Sequence, residues 1–360
     1  VFYHYDFFNY PDQMIGVRTS KSKPKRIYFS SELASSAKLT QEQIEKVIPN
    51  SYTTYISALS KDLNSMVIYN TGPKDPGSYY LLKNGKISFI GSKRPSFKAK
   101  DLADVKYLKY TSRDGRTIPA YVTIPKGKGP FPLIVNPHGG PFVSETTTWD
   151  NWSQLLANHG YMVIQPQYRG STGYGIDHYT SAFVDGGEGG YKMQDDKDDG
   201  VIYLIENGLV DEDRVAMFGW SYGGYAALVA ASREDQLYQC VISGAPVAKN
   251  SMQLNYYRNQ LRGTGKLSQE KYWTESISPI NEVEKVNVPI LLIHGAQDQR
   301  VPVSHALEYV DKLEEYNKDH KYIQLEGADH FSSTLFYRHK KLFFTEMIDY
   351  LKNDCGPDGL

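Results

Sequence analysis

Val215-Ala216-Met217-Phe218-Gly219-Trp220-Ser221-Tyr222-Gly223-Gly224 decides the fold of this chain. Its first four residues are apolar, a run short enough for a buried parallel strand. Gly219-Trp220-Ser221-Tyr222-Gly223 then has the spacing G-x-S-x-G, and the Ala-rich stretch Tyr222 to Arg233 reads as a helix. A strand that becomes a helix through so few residues crowds its own backbone. Glycines two positions either side of the serine remove side chains where the turn is tightest, and Gly224 adds room. The Ser221 hydroxyl is then expected to stand clear of the sheet, with the helix N-terminus aimed at any negative charge that develops beside it. A plain helix start capped by Ser221 is the alternative; the strand in front of the motif favours a nucleophile.

Working outward, the same alternation recurs from about Asp104 to the end. Val105 to Ser112 and Ile118 to Ile124 flank Asp114-Gly115 and read as a hairpin. Leu133 to Asn136, Met162 to Pro166, Val215 to Phe218, Val241 to Ser243, Ile290 to His294 and Lys321 to Glu326 read as buried strands. Helical stretches separate them: Trp149 to His159, Gln194 to Asn207, Tyr222 to Arg233, Ser304 to Lys318 and Ser332 to Lys352. Two antiparallel strands followed by six alternating units predict an α/β-hydrolase fold, an eight-stranded, mostly parallel sheet with helices on both faces. Active sites in such sheets gather at the carboxyl ends of the strands.

Residues 1–103 read differently. Met14 to Thr19, Arg26 to Ser31, Thr54 to Leu59, Met66 to Asn70, Tyr79 to Lys83 and Ile87 to Ile90 are short β-like runs between turn signals, with a helix at about Gln41 to Val47. The last four runs have the size of one four-stranded propeller blade, closed by the Asn84-Gly85 turn. The expectation is an incomplete β-propeller over 1–103 and a catalytic domain over 104–360. One blade cannot close a propeller, so more blades are expected upstream. Aromatic residues such as Tyr3, Tyr5, Phe7 and Phe8 would then need a covering surface.

Composition narrows the function classes. With 40 basic and 41 acidic residues among 360, the formal net charge of −1 advertises neither nucleic acid nor a membrane surface. The basic cluster Lys21, Lys23, Lys25, Arg26 is broken by Ser22 and Pro24 and reads as a solvated turn. No apolar run approaches the ~20 residues of a membrane helix. Val1 opens no signal-peptide pattern, but the chain does not begin with Met either, so cytoplasmic and exported locations both stay open. Cys240 and Cys355 make neither a disulfide framework nor a zinc cluster. No metal and no cofactor is implied, and a homo-oligomer is compatible with the sequence.

A serine hydroxyl needs an imidazole to take its proton, and a carboxylate to orient that imidazole. In this fold the chain order is serine, acid, histidine. Five of the nine histidines follow Ser221: His294, His305, His320, His330 and His339. His330 directly follows the last predicted strand. His294 precedes the best acid, and His305, His320 and His339 fall in predicted helices and read as surface residues. Asp298 lies in the loop after the strand that ends at His294, with room for one helix and one strand before His330. Asp329 reads as a turn residue. For the oxyanion, one donor should be the Tyr222 N–H. The other should come from the turn Pro137-His138-Gly139-Gly140-Pro141, where Gly140 lets a substrate oxygen approach and His138 braces the loop.

One motif is a decoy. Asp195, Asp199, Gly200 and Glu206 fall at calcium-loop offsets, but Lys197 stands where an oxygen ligand is required. A helix N-terminus that favours negative charge explains the cluster better.

Taken together, the motifs resemble the prolyl oligopeptidase family of serine peptidases, its acylaminoacyl-peptidase and dipeptidyl-peptidase branches most. The resemblance rests on His138 to Pro141, Tyr168-Arg169-Gly170-Ser171-Thr172-Gly173-Tyr174-Gly175, Met193-Gln194-Asp195-Asp196, and Gly219 to Tyr225. His294-Gly295 with Asp298, Arg300-Val301-Pro302 and His330-Phe331 complete it. It implies hydrolysis of short peptides from a free or blocked N-terminal end, and a propeller ahead of the hydrolase that limits substrate size. It also implies a specificity pocket built after the next strand, with Tyr222, Val247, Tyr257 and Val301 as walls and Arg300 as a donor to a substrate carbonyl. A carboxylesterase for small acyl esters is the alternative, because acyl transfer to water is one chemistry. A binding module without catalysis on the same fold is a third reading, and the intact Ser221, Asp298 and His330 argue against it.

Overall fold

The computed structural model describes residues 5–9, 14–19, 23–62, 64–258, 264–331, 334–357 and 359–360. Tyr3, Lys21, Ser22 and Ser332, named above, lie outside the described residues, as do the side chains of Tyr5, Phe7 and Phe8.

The first strands, β1 (Tyr5–Asn9), β2 (Met14–Thr19) and β3 (Lys25–Tyr28), form a small antiparallel sheet. Helix α1 (Glu32–Val47) follows, with the Ser31 hydroxyl accepting from the Ala34 N–H at 3.1 Å. It begins nine residues earlier than the sequence indicates. The start rests on the Ser31 cap and on Ala34 and Ala37, which pack with Ile15 and Met66 but carry little apolar signal of their own. Strands β4 (Thr53–Leu59), β5 (Ser65–Gly72), β6 (Asp75–Lys83) and β7 (Lys86–Ser92) then form a four-stranded antiparallel sheet in simple sequence order. Asn84 and Gly85, with φ of 49° and 73°, make the left-handed hairpin turn that their types favour.

The larger sheet begins with β8 (Asp104–Thr111) and β9 (Thr117–Ile124), an antiparallel pair. The chain continues through β10 (Phe131–Val135), α2 (Asn151–Asn158), β11 (Met162–Pro166), α3 (Ile176–Thr180), α4 (Lys192–Glu206) and β12 (Val210–Trp220). After α5 (Tyr222–Ala230) come β13 (Cys240–Gly244), α6 (Asn250–Tyr257) and α7 (Thr264–Glu275). The last elements are β14 (Ile290–Gly295), α8 (Ser304–Glu315), β15 (His320–Leu325) and α9 (Tyr337–Asn353). The strand order is β15-β14-β13-β12-β10-β11-β9-β8, and β10 to β15 are mutually parallel. This is the expected α/β-hydrolase sheet.

Alternation along each strand splits the core in two. Val215 and Met217 of β12 face a cluster with Val201 and Leu204 of α4 and Tyr309 and Leu313 of α8. Ala216, Phe218 and Trp220 face the opposite cluster, with Leu156 of α2 and Phe343, Met347 and Leu351 of α9. Both faces are therefore covered, as buried parallel strands require. Cys240 and Cys355 form a disulfide that ties the chain just beyond α9 to the first residue of β13. No helix among the described residues is long and apolar enough to cross a membrane.

The acidic stretch read as a calcium decoy is continuous helix in α4. Asp195 pairs with Arg233 and Asp199 with Arg113. His305 and His339, expected at the surface, are buried, and His320 opens β15 instead of lying in a helix. In α8 the buried stripe His305, Tyr309, Leu313 has a four-residue period, so His305 belongs to the apolar face.

Candidate active site

Five loops meet at the carboxyl edge of the sheet, after β10, β12, β13, β14 and β15. The loop after β12 is the sharpest. Ser221 has φ 61° and ψ −118°, a strained conformation for a residue with a side chain, and α5 begins at the next residue. A Cβ on Gly219 would stand 2.3 Å from the Gly223 carbonyl, and one on Gly223 would stand 2.2 Å from the Pro137 oxygen. Only glycine fits either place. The Ser221 N–H donates to the Gly244 carbonyl at 2.8 Å, which pins the elbow to β13. The Tyr222 N–H is among the first amides of α5, which have no acceptor within their own helix.

The loop after β10 packs against this elbow. A Cβ on Gly139 would meet the Ser221 Cβ at 3.4 Å, and Gly140 follows with φ +115°. His138 is buried, with Nε2 2.8 Å from the Ser171 hydroxyl and Nδ1 2.7 Å from the Gly139 carbonyl. The Tyr168 hydroxyl donates to the His138 carbonyl at 2.7 Å. Burial pushes the His138 imidazole down to about 4, so it stays neutral at ordinary pH. These contacts brace the turn that carries Gly140.

Asp298 and His330 come together as the chain order requires. His330 Nδ1 lies 2.6 Å from Asp298 Oδ2, and both residues are buried. The N–H groups of Arg300 and Val301 donate to Asp298 Oδ1 at 2.8 and 2.7 Å. Burial pushes the Asp298 carboxyl up, but hydrogen bonds from His294, His330 and Val301 outweigh it and hold the group well below the usual carboxylate range. The Trp220 indole, adjacent to Ser221, donates to the His330 carbonyl at 2.7 Å and ties the histidine loop to the elbow. Asp329 accepts from the Gln299 N–H at 3.0 Å and so joins the His330 loop to the Asp298 loop.

Tyr222, Val247 and Val301 share one buried cluster with Tyr168, Tyr225, Tyr272 and Trp273. Tyr257 and Arg300 stand apart from that cluster and hold each other. The Tyr257 hydroxyl donates to the Arg300 carbonyl at 2.9 Å, and the guanidinium lies 5.5 Å from the ring centroid. Tyr272, which donates to the Tyr222 hydroxyl at 2.9 Å, was not legible as a site residue because α7 was not. Among the described residues no cluster of His, Cys and carboxylate side chains could hold a metal ion.

The fold and this edge define an α/β-hydrolase. Residues 148–357 match the prolyl oligopeptidase family, and the chain belongs to it. It is 27% identical over 310 residues to dipeptidyl aminopeptidase BIII of Pseudoxanthomonas mexicana, covering 80% of this chain and 44% of that protein. It is 30% identical over 234 residues to the acylamino-acid-releasing enzyme of Rattus norvegicus, covering 59% of this chain and 30% of that one. The acylaminoacyl peptidase of Pyrococcus horikoshii superposes with a TM-score of 0.73 at 19% identity, over 96% of this chain and 55% of that one. The chain thus spans about half or less of the length of these relatives.

Proposed function

We propose that the protein is a serine peptidase that hydrolyses short peptides, acylaminoacyl- or dipeptidyl-peptidase-like, through Ser221, His330 and Asp298. The observation that carries this reading is the 2.6 Å contact of Asp298 with His330, on a loop tied by Trp220 to the strained serine elbow. Membership of a peptidase family supports the reaction class, and the names of the relatives support the substrate class.

In the proposed reaction Ser221 Oγ attacks the scissile carbonyl carbon while its proton passes to His330 Nε2. Asp298 holds the other ring nitrogen as the donor and stabilises the imidazolium. The Tyr222 and Gly140 N–H groups receive the oxyanion. Collapse of the tetrahedral intermediate breaks the C–N bond, and His330 returns the proton to the leaving amine. Water then releases the acyl group from Ser221 by the same steps, with His330 as base. Val247 and Val301 line the pocket for the residue before the scissile bond, with Tyr257 and the Arg300 guanidinium at its rim.

Residues 104–360 are proposed as the catalytic domain, and residues 1–103 as a propeller-like segment that limits access. The in-order antiparallel sheet β4 to β7 supports the second assignment. A cavity of about 450 Å³ lined by Arg18, Thr53, Phe142, Val143 and Thr172 lies between that segment and the Gly140 loop.

Turnover of peptide anilides and of short acyl esters, by the same preparation, tests the assignment. The expected result is efficient anilide cleavage that falls by ~10⁴-fold or more in S221A, H330A or D298N. Efficient ester cleavage with negligible anilide cleavage would replace the peptidase reading with a carboxylesterase. Near-normal turnover by D298N would remove Asp298 as the acid.

A further inference from the structure

The Asp298 carboxylate receives two imidazoles. Its Oδ1 is filled by the Arg300 and Val301 amides. Its Oδ2, the oxygen that meets His330, also lies 3.3 Å from Nε2 of His294, and the side chains of His294 and Asp298 are both fully buried. The same Nε2 lies 2.8 Å from the Val301 carbonyl. A carbonyl can only accept, so the His294 proton sits on Nε2 and is shared between that carbonyl and Asp298 Oδ2. All four lone-pair directions of the carboxylate are then satisfied.

The opposite side of the ring is buried without a partner among the described residues. His294 Nδ1 has no partner among the described residues, and neither does Nε2 of His305, another fully buried histidine. His305 Nδ1 accepts from the Lys249 N–H at 3.2 Å, so its proton sits on Nε2. The two orphans are therefore complementary, an acceptor on His294 and a donor on His305, and His294 lies within electrostatic reach of His305. The charged groups around the pair are Asp298 and Lys249, the latter bridged to Glu308 at 2.7 Å. Burial pushes the His305 imidazole down to about 3, so it adds no positive charge behind His294.

Resting on the triad reading, we infer that His294 is a positioning residue of the acid. Its Nε2–H, fixed in one tautomer by the Val301 carbonyl, locks the Asp298 oxygen that faces His330 and tempers the charge that His330 feels. Position and charge are separable in consequence. Without that N–H, Asp298 is freer to rotate and carries more unshared negative charge. The carboxylate then holds the imidazolium of His330 more strongly, and the base needs a higher pH to become neutral.

The test is the rate at which Ser221 reacts with a fluorophosphonate, in which an Oγ–P bond forms, the P–F bond breaks, and the serine proton passes to His330. The rate is followed against pH in the wild type, H294F and H294Q. In H294F the plateau rate is expected to fall about tenfold or more, and the acidic limb to move up by about 0.5–1 pH unit. H294Q, whose side-chain amide can supply the lost donor, is expected to restore the limb. An H294F profile with the wild-type limb, whatever its plateau, overturns the inference, as does an H294Q limb that stays with H294F. If H294F fails to fold by circular dichroism, H294N, whose shorter amide does not reach Asp298, is read in its place by the same criteria. A wild type that never reacts overturns the triad reading itself, an outcome seen before any substitution is made.

Discussion

Lys197 is the residue whose chemistry fits its surroundings least simply. It is buried in α4, donates from Nζ to the Met193 carbonyl at 2.5 Å, and lies 3.9 Å from the Tyr168 ring centroid. Tyr168 in turn braces His138, so an ammonium supports the floor of the turn that carries Gly140. Burial pushes that ammonium down to about 7, against the pull of Asp196 and Asp198. Below pH 7 the lysine is charged in both folded and unfolded chains, and the full cost of burying the charge is present. Between 7 and the ordinary value of 10.5 the unfolded chain binds the proton that the folded chain has lost, so this group makes stability rise with pH. Lys197→Met removes that slope. In urea unfolding at a series of pH values, the stability of K197M relative to wild type is expected to be greatest at pH 7 and below and to shrink toward pH 10. A difference that does not change with pH would show that Lys197 is not held in this way.

At the scale of elements, the disulfide between Cys240 and Cys355 is the clearest constraint that no local pattern announced. It fastens the end of α9 to β13 and closes a loop of 115 residues, which contains Asp298 and His330. Cross-links of this kind restrict the unfolded chain, and losing one costs about 2–4 kcal/mol. Cys355→Ser is expected to lower the free energy of unfolding by that amount and the denaturation midpoint with it, and a reducing agent to do the same to wild type. Equal midpoints for oxidised and reduced protein would contradict it. The strands of the large sheet were legible because each is a short apolar run between turn signals, and Met162–Pro166 needed no adjustment. Helices α6 and α7 were not: Asn250 to Glu275 is polar and Tyr-rich, with no apolar stripe of helical period to read. Helix α9 begins at Tyr337, five residues later than its pattern indicated. The tight strand-to-helix turn at Ser221 was legible from its motif, and the meeting of Asp298 with His330 from chain order and loop position. His294 as a partner of Asp298 was not, because the contact depends on how the loop after β14 folds back on its own strand.

For the molecule as a whole, the arrangement concentrates strain and polar contacts along one edge of a sheet whose faces are otherwise apolar. The segment before β8 leans on that edge through a few polar and ring contacts. Gln154 donates to the Pro73 carbonyl at 3.4 Å, Lys74 pairs with the Asp104 carboxylate at 3.1 Å, and the Arg94 guanidinium lies 5.6 Å from the Trp149 ring centroid. Together with the Gly140 loop it lines one cavity, and it holds none of Ser221, Asp298 and His330. The central claim is therefore that one residue, Ser221, is the nucleophile. Mass spectrometric mapping of the protein after reaction with a fluorophosphonate tests it most directly. A single adduct on the peptide that carries Ser221, absent from S221A, is the predicted result; an adduct on another residue, or labelling of S221A equal to wild type, would contradict it.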